Sequence, residues 1–326
     1  MSGIHGGPDA LGVPRWDFST NANACGPCPT AQAAVHAADA QHYPDPAYTD
    51  LRASLAAFHG VAAERIVVAG SASEFIARIT AAVVRTGGQS VWWPGLAYGD
   101  YAHAARAWGL QRVNEPAKAD LLWLCEPSSP LGAAEPLAQV VAGQGGAVVL
   151  DRAYEPLRLS GHCSLGAEAL DRVWQLWSPN KALGLTGVRG AYAIAPLQGL
   201  AQARSLEQMA PSWPLGVHAV AMLTAWVQAD TQRWLAQSRE QLTTWKAAQV
   251  ACLGEAGWVC LPSEASYVCA RAPHALDVPA LRAQGIKLRD TTSLGLPGHW
   301  RLGVLPPAAQ QVLHTAVLET TKETSP

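Results

Sequence analysis

Charge is what this chain of 326 residues has little of: Asp, Glu, Lys and Arg make up 15% of it and leave a formal net charge of −2. That composition forms no basic footprint for nucleic acid and no polybasic membrane patch. Long apolar runs are missing too. Gly, Pro, His or a charge breaks each apolar window well before the roughly 18 residues a membrane-spanning helix needs. The opening MSGIHGGPDA lacks the basic, apolar and small-residue order of a secretory signal, so a cytoplasmic chain with no nucleic-acid or membrane partner is expected. The seven cysteines, at 25, 28, 125, 163, 252, 260 and 269, are odd in number and scattered, which excludes a disulfide framework. Cys25-Gly26-Pro27-Cys28 has the spacing of a redox pair. No strand pattern leads into it and no second CxxC completes a zinc site, so reduced loop cysteines and no metal are expected.

What is present is apolar: 49% hydrophobic residues, enough for one large unit and a smaller one. Residues 1–30, rich in Gly, Asn and Pro, read as an extended arm, followed by a helix to about residue 40 and the turn Tyr43-Pro44-Asp45-Pro46. Leu51, Leu55 and Phe58 fall on one face of a helix over 48–60. Apolar strands at 66–70, 90–94, 119–125, 146–151, 172–178 and 190–195 alternate with helical stretches such as 74–85 and 98–108. Buried runs interleaved with helices predict an α/β fold with a mostly parallel sheet. A helical stretch over 217–255 leads into strand 265–271, helix 277–284, strands 286–289 and 299–305, and helix 307–321, an α+β unit. The boundaries expected are an arm over 1–42, a large α/β domain over 43–225 and a small α+β domain over 226–326.

In parallel sheets ligands gather at the carboxyl ends of strands. Ser178-Pro179-Asn180-Lys181 places a hydroxyl three residues before an amine, and Arg189 follows beyond the turn 184–187. A hydroxyl and a guanidinium flanking a lysine suit a phosphate dianion, and a lysine can form an imine when its charge is disfavoured. Taken alone, the same lysine is also consistent with a solvated surface group. Asp151 ends an apolar strand, where it either pairs with a protonated ring nitrogen or caps the next turn. Tyr154, three residues on, is in reach of a phenolic oxygen of such a ring. Gly70-Ser71-Ala72-Ser73-Glu74 opens a helix after a strand and reads as an anion cradle or as an ordinary serine N-cap. Tyr98 is a candidate to lie flat on a ring, or to pack in the core.

Taken together and in this order, these residues resemble the fold-type I pyridoxal 5′-phosphate (PLP) enzymes of the aspartate aminotransferase superfamily, over nearly the whole chain. The resemblance implies a three-layer PLP-transferase-like fold. It implies that Lys181 holds PLP as a Schiff base and shuttles protons, while Asp151 pairs the pyridine nitrogen and Tyr154 meets the 3′ oxygen. Ser71, Ala72, Ser73, Ser178 and Arg189 would hold the phosphate, and Tyr98 would stack on the ring. Arg301 would bind the substrate carboxylate, and Tyr43 would cross to a neighbouring subunit's site, implying a homodimer.

Within the superfamily the chain resembles the histidinol-phosphate aminotransferases, and its cobalamin-pathway relatives, the threonine-phosphate decarboxylases, look nearer still. His5-Gly6-Gly7, Asp17-Phe18-Ser19-x-Asn21-x-Asn23 and Leu288-Arg289-Asp290 leading to Arg301 carry that likeness. It adds Arg289, Asn23 and His5 as substrate-binding residues. Two departures stand out. Ser129 occupies the place of an asparagine that reaches the 3′ oxygen, and Arg152 replaces a glutamate in the usual Asp-Glu-Ala-Tyr. The leading expectation is decarboxylation of threonine O-3-phosphate. The runner-up is transamination of histidinol phosphate or a related amino compound, and a non-catalytic relative of the fold is the third reading.

Overall fold

The computed structural model describes residues 6–134, 140–141 and 145–322. A two-residue strand β1 (Trp16–Asp17) and helices α1 (Pro29–His36) and α2 (Thr49–His59) come first. Then follow β2 (Ile66–Ala69), α3 (Ala72–Arg85), β3 (Ser90–Trp92), α4 (Gly99–Trp108), β4 (Gln111–Arg112), β5 (Leu121–Cys125), β6 (Ala147–Asp151), β7 (Trp174–Trp177) and β8 (Ala191–Ile194). Seven of these strands form one sheet in the order β2-β8-β7-β6-β5-β3-β4, and β8 alone runs against its neighbours. The expected α/β class with a mostly parallel sheet is therefore correct, and each of the six strands read from the sequence is present with its ends trimmed.

Both faces of the sheet are covered, which is why its strands read as continuous apolar runs. Alternation along β2 sends Val67 and Ala69 to a core shared with Phe75, Ile79, Tyr101 and Leu206, and Ile66 and Val68 to a core shared with Leu51, Leu55 and Leu223. Beyond β8 lie α5 (Leu200–Gln208) and α6 (Val217–Trp226), then α7 (Ala229–Glu255). The single helical stretch expected over 217–255 is thus two helices, because Gln228 is extended (ψ 143°) and caps α7.

The C-terminal part contains β9 (Val259–Cys260), β10 (Tyr267–Arg271), α8 (Val278–Ala283), β11 (Ile286–Lys287), β12 (Arg289–Asp290), β13 (Trp300–Gly303) and α9 (Pro307–Lys322). An antiparallel sheet of order β12-β13-β10-β9 packs beside α7 and α9. The strand expected over 286–289 is split: β11 pairs in parallel with β1, and β12 pairs with β13. Leu235 and Leu242 of α7 belong to the core under the large sheet, whereas Leu253 belongs to the C-terminal core with Phe18, Leu302 and Leu313. No helix among the described residues is long and apolar enough to cross a membrane.

Candidate active site

The reversed strand β8 gathers the site. In the sheet register Ala69 lies opposite Ala191, and Trp177 opposite Tyr192. The carboxyl ends of β2, β6 and β7 and the start of β8 therefore share one edge. Ser71 follows β2, Asp151 ends β6, Ser178 follows β7, and Arg189 stands two residues ahead of β8. The loop 178–190 joins β7 to β8 along that edge and carries Ser178, Lys181 and Arg189.

The N-terminal segment fixes this loop. Asn23 N–H donates to the Lys181 carbonyl (2.9 Å) and Cys28 N–H to that of Leu183 (2.8 Å). Gly184 sits at φ +67° with its α-carbon so close to the chain that a β-carbon would meet the Gly26 carbonyl oxygen at 2.6 Å, so a side chain is excluded there. Asn23, expected at the substrate, is instead occupied on backbone: Nδ2 donates to the Ala182 carbonyl (3.0 Å) and Oδ1 accepts from Cys25 N–H (3.0 Å). Asn21, two residues earlier, faces Tyr154, with Nδ2 donating to the Tyr154 hydroxyl (3.4 Å) and its buried Oδ1 without a partner among the described residues.

Lys181 Nζ lies 4.6 Å from the centroid of the Tyr154 ring. Burial alone would raise the Tyr154 phenol's pKa, but the positive charges of Lys181 and Arg301 hold it below its ordinary value. Asp151 is buried, and desolvation raises its pKa against two hydrogen bonds and the Lys181 charge, which lower it. Oδ2 accepts from the Tyr101 hydroxyl (2.8 Å) and Oδ1 from Ala153 N–H (3.0 Å). Asp151, Tyr154 and Lys181 thus form one electrostatic cluster. Across it, Tyr154 meets Tyr267 edge-on (centroids 4.8 Å apart), and Arg301 lies over Tyr267 at 5.6 Å.

Arg289 and Arg301 are register partners on β12 and β13, 5% and 8% exposed. Arg301 Nη1 donates to Ser129 Oγ (3.1 Å) and Nη2 to the Ser19 carbonyl (3.5 Å), while Arg289 Nη2 donates to Ser293 Oγ (2.9 Å). Among the described residues Arg289 Nη1 and Arg301 Nε are buried without partners. Burial, and then the Arg301 charge, hold the Arg289 guanidinium below its ordinary pKa. Like charges directly opposite on paired strands repel, and a buried N–H left unmade costs free energy. An anion between the two guanidiniums relieves both. Ser129, expected at the 3′ oxygen of PLP, has its oxygen engaged by Arg301.

The remaining expected residues fall as follows. Ser71 N-caps α3 by accepting from Glu74 N–H (3.1 Å), and Ala72 is the first residue of that helix. Ser73 Oγ donates to Asp100 Oδ2 (2.5 Å). Tyr98 N-caps α4, edge-on to Tyr101, with burial and then Asp100 raising its phenol's pKa. Ser178 is buried, whereas Arg189 is exposed and makes no ion pair or hydrogen bond among the described residues. Tyr43 is 78% exposed and stacks on Trp213 (4.3 Å) rather than joining the cluster. His5 lies outside the described residues. Two residues of the cluster, Tyr101 and Tyr267, were not singled out in the sequence, and Asn21 was read there only as part of the motif over 17–23. For Tyr101 a signal existed, since a tyrosine three residues after Tyr98 shares its helical face.

The family model "Aminotransferase class I and II" matches residues 15–317. A curated relative, histidinol-phosphate aminotransferase 2 of Rhizobium meliloti, is 28% identical over 277 residues, covering 78% of each chain. Among solved structures, histidinol-phosphate aminotransferase from Sinorhizobium meliloti in complex with pyridoxal-5′-phosphate superposes with a TM-score of 0.79 at 21% identity, covering 94% of this chain and 90% of that one. L-threonine-O-3-phosphate decarboxylase from Porphyromonas gingivalis gives a TM-score of 0.77 at 19% identity, covering 94% and 99%.

Proposed function

The chain belongs to the class I and II aminotransferase family, and from that premise we propose that it is a PLP-dependent aminotransferase whose amino substrate carries a phosphate, of the histidinol-phosphate kind. The observation that carries the substrate class is the facing pair Arg289 and Arg301, each with a buried, unpartnered N–H. Two adjacent guanidiniums suit a phosphate dianion or two carboxylates, the charges that a phosphorylated amine and a dicarboxylic keto-acid acceptor bring in turn.

The residues at the sheet edge fit the cofactor. When bound, PLP supplies an aldehyde carbon for the amine and a protonated ring that accepts electrons. Lys181 provides the amine that holds it and then carries the proton to and from the substrate's Cα. Asp151, buried and accepting from Tyr101 and Ala153 N–H, would hold the proton on the ring nitrogen. Tyr154, steadied by Asn21, would donate to the ring's phenolic oxygen, and Tyr98 would pack on the ring. The α3 N-terminus with Ser71, Ala72 and Ser73, joined by Ser178 and Arg189, binds the phosphate. Ser129 acts through Arg301. Tyr43, exposed and stacked with Trp213, reaches the site of a second copy in a homodimer.

Decarboxylation of threonine O-3-phosphate, the leading expectation from the sequence, needs the same groups and is the second reading; the N-terminal and Arg289–Arg301 motifs favour it. Curated relatives at 28% identity or below that carry the histidinol-phosphate aminotransferase name weigh toward transamination. The test is acceptor dependence. Histidinol phosphate with 2-oxoglutarate should yield glutamate, with Lys181→Ala inactive. Release of CO₂ from phosphothreonine without any keto acid, and no glutamate from the first pair, would overturn transamination.

A further inference from the structure

Tyr101 sits on α4 with 1% of its surface exposed, its ring stacked on Trp123 of β5 (centroids 4.6 Å apart, planes 6° apart). Held flat against the indole, the phenol has its hydroxyl on Asp151 Oδ2 at 2.8 Å, while Ala153 N–H holds Oδ1 at 3.0 Å. A carboxylate with one donor on each oxygen cannot rotate freely, and each oxygen keeps a lone pair for one more donor. We propose that Tyr101 is a positioning residue for the cofactor: it fixes the Asp151 carboxylate and sets how strongly that carboxylate holds the proton on the ring nitrogen. This rests on the reading of Asp151 as the partner of that nitrogen.

The surroundings make the phenol a donor and nothing else. Burial, followed by the Asp151 charge and the Cys125 thiol, raises the pKa of Tyr101 well above its ordinary value, so its proton stays on. The groups acting on Asp151 are Tyr101 from α4, Ala153 N–H from its own turn, Lys181 from the loop 178–190, and Asp100 from the first turn of α4. Tyr101 and Lys181 favour the ionised carboxylate, whereas burial and Asp100 oppose it. Removing the hydroxyl leaves one side-chain influence, Lys181, to keep Asp151 charged. The carboxylate then competes better for the shared proton. In the loaded protein the ring nitrogen would then carry less positive charge, and the cofactor's visible band would keep its low-pH form to higher pH.

The test uses purified holoenzyme, following the cofactor's visible band against pH and measuring cofactor affinity by equilibrium dialysis. Tyr101→Phe keeps the ring stack on Trp123 and loses the donor. The band's midpoint should rise by about half to one pH unit, the size of one hydrogen bond. Cofactor affinity should weaken about fivefold. Difluorotyrosine at position 101, a stronger donor of the same shape, should move the midpoint downward, and it decides the matter if Tyr101→Phe does not fold. A purely structural tyrosine changes the melting temperature and leaves the midpoint in place. A midpoint unmoved or lowered in Tyr101→Phe, or unmoved in the fluorinated protein, overturns the inference while leaving the cofactor assignment standing. A wild-type protein without any visible band defeats the cofactor assignment itself, and this inference with it.

Discussion

Arg289 and Arg301 stand directly opposite each other on adjacent antiparallel strands, two buried guanidiniums that make no ion pair among the described residues. Such a pair costs stability in the free protein and is relieved by a bound anion. Arg289→Met should therefore melt at the same temperature as wild type or slightly higher. It should raise KM for the phosphorylated substrate about ten- to hundredfold, the loss of one or two charge-assisted hydrogen bonds. Inorganic phosphate should raise the melting temperature of wild type and have little effect on the variant. Equal phosphate stabilisation in both proteins would remove the anion site from this position.

Glu126 is fully buried at the end of β5 and accepts from Arg158 Nη2 (3.0 Å), Ser164 N–H (2.8 Å) and Ser164 Oγ (2.6 Å). Arg158 also bonds Glu155 and Glu264, tying the turn after β6 to the C-terminal sheet. Breaking a buried pair by removing one partner costs about 3–5 kcal/mol. Because Arg158 keeps two other carboxylates, Glu126→Ala should fall at the lower end, about 3 kcal/mol. Urea unfolding monitored by tryptophan fluorescence measures it.

His59 gives the fold an acid sensitivity. Burial, and then the Arg152 charge, lower its pKa from 6.5 to about 4. Its Nε2 is 2.7 Å from the Tyr192 hydroxyl, whose oxygen already accepts from Trp226 Nε1 at 3.1 Å. A neutral imidazole can accept there from the Tyr192 hydroxyl, whereas a protonated one cannot and carries its charge into a buried site. The unfolded chain takes up the proton near pH 6.5 while the folded one refuses it until about 4, so stability is complete above pH 6.5 and falls as pH drops toward 4. The loss should approach about 3 kcal/mol. His59→Gln should flatten the stability profile in that window, as denaturant unfolding at stepped pH will register.

The two cysteines before α1 are packing groups. Cys28 Sγ is 3.9 Å from Thr231 Oγ1 and Cys25 Sγ is 3.8 Å from the Ser238 carbonyl, both against α7. The double variant Cys25→Ala, Cys28→Ala should retain turnover within about twofold and keep the cofactor band. Loss of the band on thiol alkylation of wild type but not of the variant would reverse this assignment.

The main sheet was legible because burial on both faces writes its strands as apolar runs, three of them closed by Gly70, Asp151 and Ser178. The two-residue strands were not. Gln111 and Arg112 of β4 are exposed at the sheet edge and carry no apolar pattern. Nor did the sequence reveal that Leu288 separates two strands belonging to different sheets. In the site, Asp151, Lys181 and Ser178 could be placed because strand ends fix them. The facing of Arg289 and Arg301 depends on how residues 291–299 turn, which their spacing does not specify. Asn21 and Asn23 lie in an irregular segment, where no periodicity says which amide faces Tyr154 and which the backbone of Ala182. The resemblance puts Ser129 in the place of an asparagine; its partner here, Arg301, comes from a strand 172 residues away.

The bonds from Asn23 and Cys28 to the carbonyls of Lys181, Ala182 and Leu183 join two stretches of chain some 155–159 residues apart. The loop that carries Lys181 is thereby sensitive to alterations far upstream. A nick between Asn23 and α1 works like a loosened hinge pin: the door is untouched, yet its latch no longer meets the frame.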